Sequence, residues 1–417
     1  MRFWLPAAAA RQPERVAIEY GARQVDYAEL SRRADAGART LAGAPAGLPV
    51  ALELEDRLEF AVALHACLLS GRPALPIDLR SSDQERAVRR ARAEVPADGL
   101  GVATIMHTSG TTSAPKPVEL TFANWQANAL GSAVMLGLDL EERWLCTMPL
   151  AHVGGLSILL RSAVYATTVV LHERFDTGAV LEELMSPSRR ITLVSLVPTM
   201  LARLLDAGLE RPPTLRWALL GGGPISPALL ARAADAAVPV APTYGMTEAC
   251  SQIATFGFPL PGVEIRLGAD GEILVRGPIV APGAVDEQGW LHTGDLGRFG
   301  GEGSRLEIVG RKADTIVSGG ENVAPAEVEA VLLEHPAVAD AGVFARADPE
   351  WGEAVVARVV VCDGAEVSPE ELRAWCAGRL ARFKVPKDVV FARELPRTPS
   401  GKLVRRELAG RDVAYPK

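Results

Sequence analysis

Between residues 101 and 250 the chain alternates between short β-branched runs and segments of helical spacing, and this alternation restricts the fold more than any other feature. The extended runs are 101–106, 145–150, 163–171 (AVYATTVVL), 191–197 (ITLVSLV) and 217–220, with helical spacing over 122–136 and 198–207 between them. Strands separated by helices build βαβ units and a largely parallel, twisted sheet, so the expected class is α/β. Ligands of such sheets collect at the loops beyond the strand carboxyl ends.

Three loops fall at those ends. Thr108 to Lys116 (TSGTTSAPK) offers hydroxyls, backbone N–H groups and one long cation to an anion, without the Walker A pattern. Gly221, Gly222 and Gly223 follow the strand ending at Leu220 and let a flat or anionic ligand approach the backbone. The third, 243–248 (TYGMTE), offers the Thr247 hydroxyl to a phosphate and the Glu248 carboxylate to a hard cation such as Mg²⁺.

Length and charge narrow the function. At 417 residues the chain exceeds one ordinary core. A formal charge of −7 argues against a nucleic-acid or anionic-membrane surface. The five cysteines are scattered, which suits a reducing compartment. The N-terminus lacks the long apolar core of a signal peptide, and the apolar run 156–171 is broken by Arg161. These features predict a cytoplasmic protein without membrane insertion. Only six of the 44 basic residues are lysines, and Lys116, Lys312 and Lys402 all fall in motif-like stretches. Arginine drift spares lysine where a compact ammonium is needed.

The flanks read differently. Residues 1–100 are alanine- and arginine-rich and read mostly as helix, including an apolar helix over 58–70 that holds His65 as a packed core residue. Residues 251–310 read as a small β-rich unit in which Gly294-Asp295 is either a simple turn or a carboxylate site for a ribose diol. From Arg311 a C-terminal α+β domain begins, with a helix start at Pro325, a strand over 355–361 and a capping box at Ser368–Glu371. It ends near a loop, 396–402 (PRTPSGK), that carries Lys402.

As an ordered set, TSGTTSAPK, YGMTE, WLHTGD, GRKAD…SGGEN and PSGK resemble the adenylate-forming superfamily from about residue 69 to 406. The resemblance implies an adenylation domain, 1–310, of twisted βαβ sheets with a small β-rich subdomain, and a mobile α+β lid domain, 311–417. It implies ATP, Mg²⁺ and CoA. Carried onto this sequence, it implies that Thr108, Ser109, Gly110, Thr111, Thr112 and Lys116 close over the β- and γ-phosphates, that Gly222, Gly223 and Tyr244 flank the adenine, and that Gly245 and Met246 also bind the nucleotide. Thr247 contacts the α-phosphate, Glu248 holds Mg²⁺, and Asp295 and Arg311 bind the ribose. Lys402 bridges the substrate carboxylate and the α-phosphate. Ser318, Gly319 and Gly320 serve the thiol stage after the lid swings about 311–314.

Within the superfamily, MPLAHVGGLSILL (148–160), VSLVPTMLARLL (194–205), LLGGGPIS (219–226) and YGMTEACSQI (244–253) are similar to the o-succinylbenzoate–CoA ligases. That branch implies an aromatic dicarboxylic acid as substrate. His152 would line the acyl pocket and help admit CoA, with Gly154, Gly155, Ser195, Thr199, Gly221 and Ser251 around it. Arg161 and Arg203 are candidates for the second carboxylate, and a homodimer is one expected assembly. Ser113, Pro117, Ala151 and Ala313 depart from the superfamily pattern. The competing readings are an aryl- or fatty-acid ligase loading CoA or a carrier protein, and a nucleotide-binding protein that has lost catalysis.

Overall fold

The structure is a computed structural model that describes the chain apart from residues 1–3, 44, 46, 100, 109–115, 302–303, 398–402 and 410–417. It divides into two compact units. The first comprises Met1–Gly222, Ala233–Ile265 and Val275–Leu291; the second comprises Gly223–Arg232, Arg266–Leu274 and His292–Lys417.

The first unit carries the βαβ sheet. Its nine strands lie in the order Phe258–Pro259, Ser251–Thr255, Val240–Met246, Trp217–Leu220, Leu193–Leu196, Arg143–Cys146, Thr168–Leu171, Val16–Tyr20 and Arg23–Asp26. The six strands from Val240–Met246 through Val16–Tyr20 pair in parallel, and antiparallel strands close both edges. Burial on both faces explains the runs of Val, Ile and Leu: Leu145, Val170, Val194 and Leu220 are all fully covered.

A second sheet orders Val50–Leu52, Ala74–Pro76, Val102–His107 and Pro117–Thr121. Its first three strands are parallel and the last two form a hairpin around residues 108–116. Helix Phe122–Leu136 follows at once, opened by a reciprocal cap between Thr121 and Asn124.

Two expectations need correction. The alanine- and arginine-rich start is helical over Trp4–Arg11, Tyr27–Leu41, Arg57–Ser70 and Asp83–Ala91, but it also holds a hairpin, Val16–Tyr20 and Arg23–Asp26, that extends the large sheet. The run 163–171 is not one strand. Helix Val153–Tyr165 continues through its first residues and ends at Ala166 in the left-handed region (φ 62°), and only Thr168–Leu171 is extended. That helix is buried on nearly every side, so its apolar periodicity is masked.

In the second unit, a five-stranded sheet runs Glu321–Val323, Ile316–Ser318, Gly352–Val361 and Val338–Asp348, with Asp388–Phe391 parallel to Gly352–Val361. Helices Pro325–Leu333 and Pro369–Ala377 cover it through Val328, Leu332, Leu372 and Cys376. The Ser368–Glu371 capping box forms. A four-stranded sheet, Glu264–Leu267, Glu272–Arg276, Leu291–Gly300 and Arg305–Arg311, forms the β-rich part of the chain.

His65 lies within helix Arg57–Ser70, 3 % exposed, as expected of a core residue. Burial pushes its imidazole down to about 4. The unfolded chain therefore takes up a proton near pH 6.5 that the folded chain refuses until about pH 4, so stability is full above the first value and falls between the two. We predict that acidification from pH 7 to 4 costs about 3 kcal/mol through this residue. Urea unfolding of His65→Leu should show a correspondingly flatter pH dependence than the parent.

Candidate active site

The order of the large sheet locates a crevice. From Cys146 the chain leaves through helix Val153–Tyr165 and returns as the neighbouring strand on one side, Thr168–Leu171. From Leu196 it leaves through helix Pro198–Asp206 and returns on the other side as Trp217–Leu220. The adjacent strands Arg143–Cys146 and Leu193–Leu196 thus send their loops in opposite directions, and a cleft opens between their carboxyl ends. His152 follows the first strand, while Ser195 and Thr199 belong to the second strand and the helix after it. Thr147, two residues past Leu145, is 3 % exposed and its hydroxyl has no partner among the described residues.

The predicted loops occupy the same edge. Gly221 donates its N–H to Leu196 O at 3.2 Å, and a Cβ there would stand 2.7 Å from Thr243 Cγ2. Gly222 adopts φ +77°. Gly245 lies against Ser251, whose carbonyl oxygen would sit 1.6 Å from an added Cβ, so only glycine permits this hairpin. The 3₁₀ turn Thr247–Ala249 continues from Met246, and Ala281 N–H donates to Glu248 O at 2.8 Å. Tyr244, Met246, Thr247, Glu248 and Ser251 are half-buried.

The phosphate-type loop is closed at its base, where Thr108 N–H donates to Lys116 O at 3.1 Å; Lys116 is exposed. Ser109, Gly110, Thr111 and Thr112 lie outside the described residues. Preceding them, His107 is pushed down to about 4 by burial and, more weakly, by Arg89 and Arg92.

The acid side of the cleft is built from residues far apart in sequence. His152 precedes helix Val153–Tyr165 and makes no side-chain cap. Its Nε2 lies 3.1 Å from Asp78 Oδ2 and 3.2 Å from Arg80 Nη2. Gly154 leaves ordinary contact space, its nearest neighbour being Met148 Cε at 3.6 Å. Gly155 has a different reason to be glycine: a Cβ would stand 2.3 Å from Pro149 O. The Ser195 hydroxyl accepts from Trp144 Nε1 at 3.1 Å. Over that indole, 5.5 Å from its centroid, sits the Arg161 guanidinium.

Arg161 is 2 % exposed and donates to Asn128 Oδ1 at 2.5 Å. No carboxylate pairs with it among the described residues, and its Nε has no partner. Arg203, the other candidate, is exposed. Arg57 braces the cleft floor: its guanidinium donates to Met148 O (2.6 Å) and to His172 O, joining the ends of two parallel strands. Past the outer strands lies a separate cavity of about 470 Å³, bordered by Tyr20, His172, Glu173, Glu183 and Arg189.

The second unit holds the remaining predicted residues. Asp295 pairs across a β-ladder with Arg311, whose Nε donates to Asp295 Oδ1 at 2.9 Å. Burial works against the charge of neighbouring Glu272, yet the Gly294 N–H (3.0 Å) and Lys312 ammonium (3.2 Å) hold its carboxyl below the usual range. Gly223 also falls in this unit. Ser318 is buried, and Gly319 (φ +61°) and Gly320 (φ +84°) turn the chain beside Trp351, whose carbonyl accepts from Gly319 N–H at 2.8 Å.

Lys402 lies outside the described residues. The flanking chain is anchored: Arg397 bridges Leu403, and Arg405 donates to Asp314 Oδ2 at 3.0 Å and Glu329 Oε2 at 2.8 Å. Sequence reasoning missed Asp78, Arg80, Thr147 and Arg57. The only signal for Asp78 and Arg80 was their place just after a short apolar run.

Comparison with known proteins agrees with this geometry. The AMP-binding enzyme family matches residues 5–97 and 89–284, and the AMP-binding enzyme C-terminal domain matches 327–402. The 2-succinylbenzoate–CoA ligase of Bacillus licheniformis is 38 % identical, over 97 % of this chain and 98 % of that protein. Its Bacillus subtilis counterpart is 37 % identical over 97 % of each. Two solved structures of the B. subtilis o-succinylbenzoate CoA synthetase are similar throughout. The complex with the acyl-adenylate intermediate OSB-AMP has a TM-score of 0.87 and 36 % identity, covering 97 % of both chains. The complex with ATP and magnesium ion has a TM-score of 0.86 and 35 % identity, covering 97 % of this chain and 99 % of that one. The chain therefore belongs to the AMP-binding enzyme family, alongside the 2-succinylbenzoate–CoA ligases.

Proposed function

We propose that the protein joins o-succinylbenzoate to CoA in two steps, as an AMP-forming acid–thiol ligase of menaquinone biosynthesis. A carboxylate oxygen attacks the α-phosphorus of ATP and pyrophosphate leaves; the CoA sulfur then attacks the acyl carbon and AMP leaves. The observation that carries the reading is full-length similarity to ligases of this activity, joined to a switch-point cleft that carries His152.

The first step brings two anions together, so positive charge and oriented N–H groups supply most of the catalysis. No side chain need act as nucleophile or base, because the attacking carboxylate is already ionised. In our reading Thr108–Lys116 holds the terminal phosphates, Thr247 the α-phosphate, and Asp295 with Arg311 the ribose. Lys402 reaches the carboxylate and the α-phosphate together, and Ser318, Gly319 and Gly320 serve the thiol.

Mg²⁺ fits the residues present. Glu248 and Thr247 offer hard oxygen donors at one strand end, and no group of three ligating side chains occurs among the described residues. One carboxylate plus substrate phosphates is the usual arrangement for this ion. When bound, it offsets phosphate charge.

The domain division we assign is 1–310 for adenylation and 311–417 for the lid. We assign a cytoplasmic location, which the free cysteines Cys67, Cys146, Cys250, Cys362 and Cys376 support; among the described residues no helix is long and apolar enough to cross a membrane. An exposed apolar stripe, Leu130, Val134, Leu138 and Leu140, supports a homodimer.

The substrate's second carboxylate falls to Arg161, a buried cation with no carboxylate partner among the described residues, linked to Ser195 through Trp144. A charge-assisted hydrogen bond contributes roughly 1.5–3 kcal/mol. Arg161→Lys should therefore raise KM for o-succinylbenzoate by about 10- to 100-fold and leave KM for ATP unchanged; equal KM values for the acid would remove Arg161 from the pocket. Lys402→Ala should lower pyrophosphate release by about 10² to 10³ at an unaltered melting temperature. A panel of acids with ATP and CoA, followed by AMP release, tests the substrate. Preference for benzoate or fatty acids would favour the alternative aryl- or fatty-acid ligase.

A further inference from the structure

We infer that Asp78, braced by Arg80, is a positioning residue for His152 and fixes the imidazole at the mouth of the acid cleft. The contact joins two sheets. Asp78 follows strand Ala74–Pro76 of the four-stranded sheet, and His152 follows strand Arg143–Cys146 of the nine-stranded one. Strand Ala74–Pro76 runs parallel to Val102–His107, which leads into the phosphate-type loop, so Asp78 and Thr108 share one edge. One hydrogen bond thereby ties the acid-binding side of the cleft to the phosphate-binding side.

The carboxylate is set in place before His152 meets it. Arg80 donates from Nε to Asp78 Oδ1 at 2.9 Å and from Nη2 to Oδ2 at 2.6 Å, and its own backbone N–H donates to Oδ1 at 3.0 Å. These contacts and the His152 bond keep the Asp78 carboxyl far below the usual range against the opposing effect of burial. An ionised, doubly held carboxylate with one oxygen facing the ring is a preorganised acceptor.

His152 has little else to hold it. Its side chain does not cap the helix that follows, and its neighbour Ala151 offers only a methyl group. Nε2 lies within reach of an acceptor, Asp78 Oδ2, and a donor, Arg80 Nη2. A protonated Nε2 donates to the first and a bare one accepts from the second. Either tautomer thus has a partner at Nε2, and the ring is held in both.

The inference rests on the acid–thiol ligase reading, and a double-mutant cycle separates the two. ATP–pyrophosphate exchange is measured for the parent, Asp78→Asn, His152→Ala and the double variant, using whichever acid the panel identifies. Asp78→Asn keeps the shape of the side chain, and Asp78→Ala repeats the cycle. If Asp78 acts through His152, each Asp78 variant lowers kcat/KM for the acid by about tenfold with KM for ATP unchanged. In the His152→Ala background the same substitutions then have no further effect. Equal losses in both backgrounds would make Asp78 merely structural, and no loss in the parent background would overturn the proposal. Absence of exchange with every acid would instead sink the ligase reading.

Discussion

The side-by-side pairing of Arg143–Cys146 with Leu193–Leu196 is the contact on which the architecture depends. Parallel strands that send their loops apart leave a gap at their carboxyl ends, and the surrounding covalent chain cannot fill it. Trp144 reinforces the pair from within, its indole N–H donating to Ser195 on the neighbouring strand. The glycine turn after Leu220 and the Thr247–Ala249 turn then fall beside the gap because their strands belong to the same parallel set.

Charged groups in both units follow the same electrostatic rules. Arg161 is buried with Asn128 and the Trp144 ring as partners and with no carboxylate among the described residues, an arrangement that costs stability. Glu272, by contrast, is fully engaged by a backbone N–H and Lys312. Asp78 is likewise engaged, by Arg80 and His152. A charge paired in this way organises its neighbours.

The sequence made much of this legible. The alternation over 101–250 announced the parallel sheet, and the loops at 221–223 and 243–248 came with it because loop position follows from strand order. The hairpin Val16–Tyr20 and Arg23–Asp26 escaped because two short strands in alanine- and arginine-rich surroundings carry little periodicity. The run 163–171 misled because Val164 and Tyr165, which favour strands in isolation, close a helix held by tertiary packing. The pairing of Asp78 and Arg80 with His152 escaped for another reason. Their partner lies more than seventy positions away, and no local pattern records a bond across two sheets.

Arg57 has a mechanical consequence. One planar guanidinium is shared by the carbonyls of Met148 and His172, so the two strand ends it joins are constrained to shift together. The wall of the outlying cavity at His172 and the floor of the acid cleft at Met148 thus form a single stiff joint.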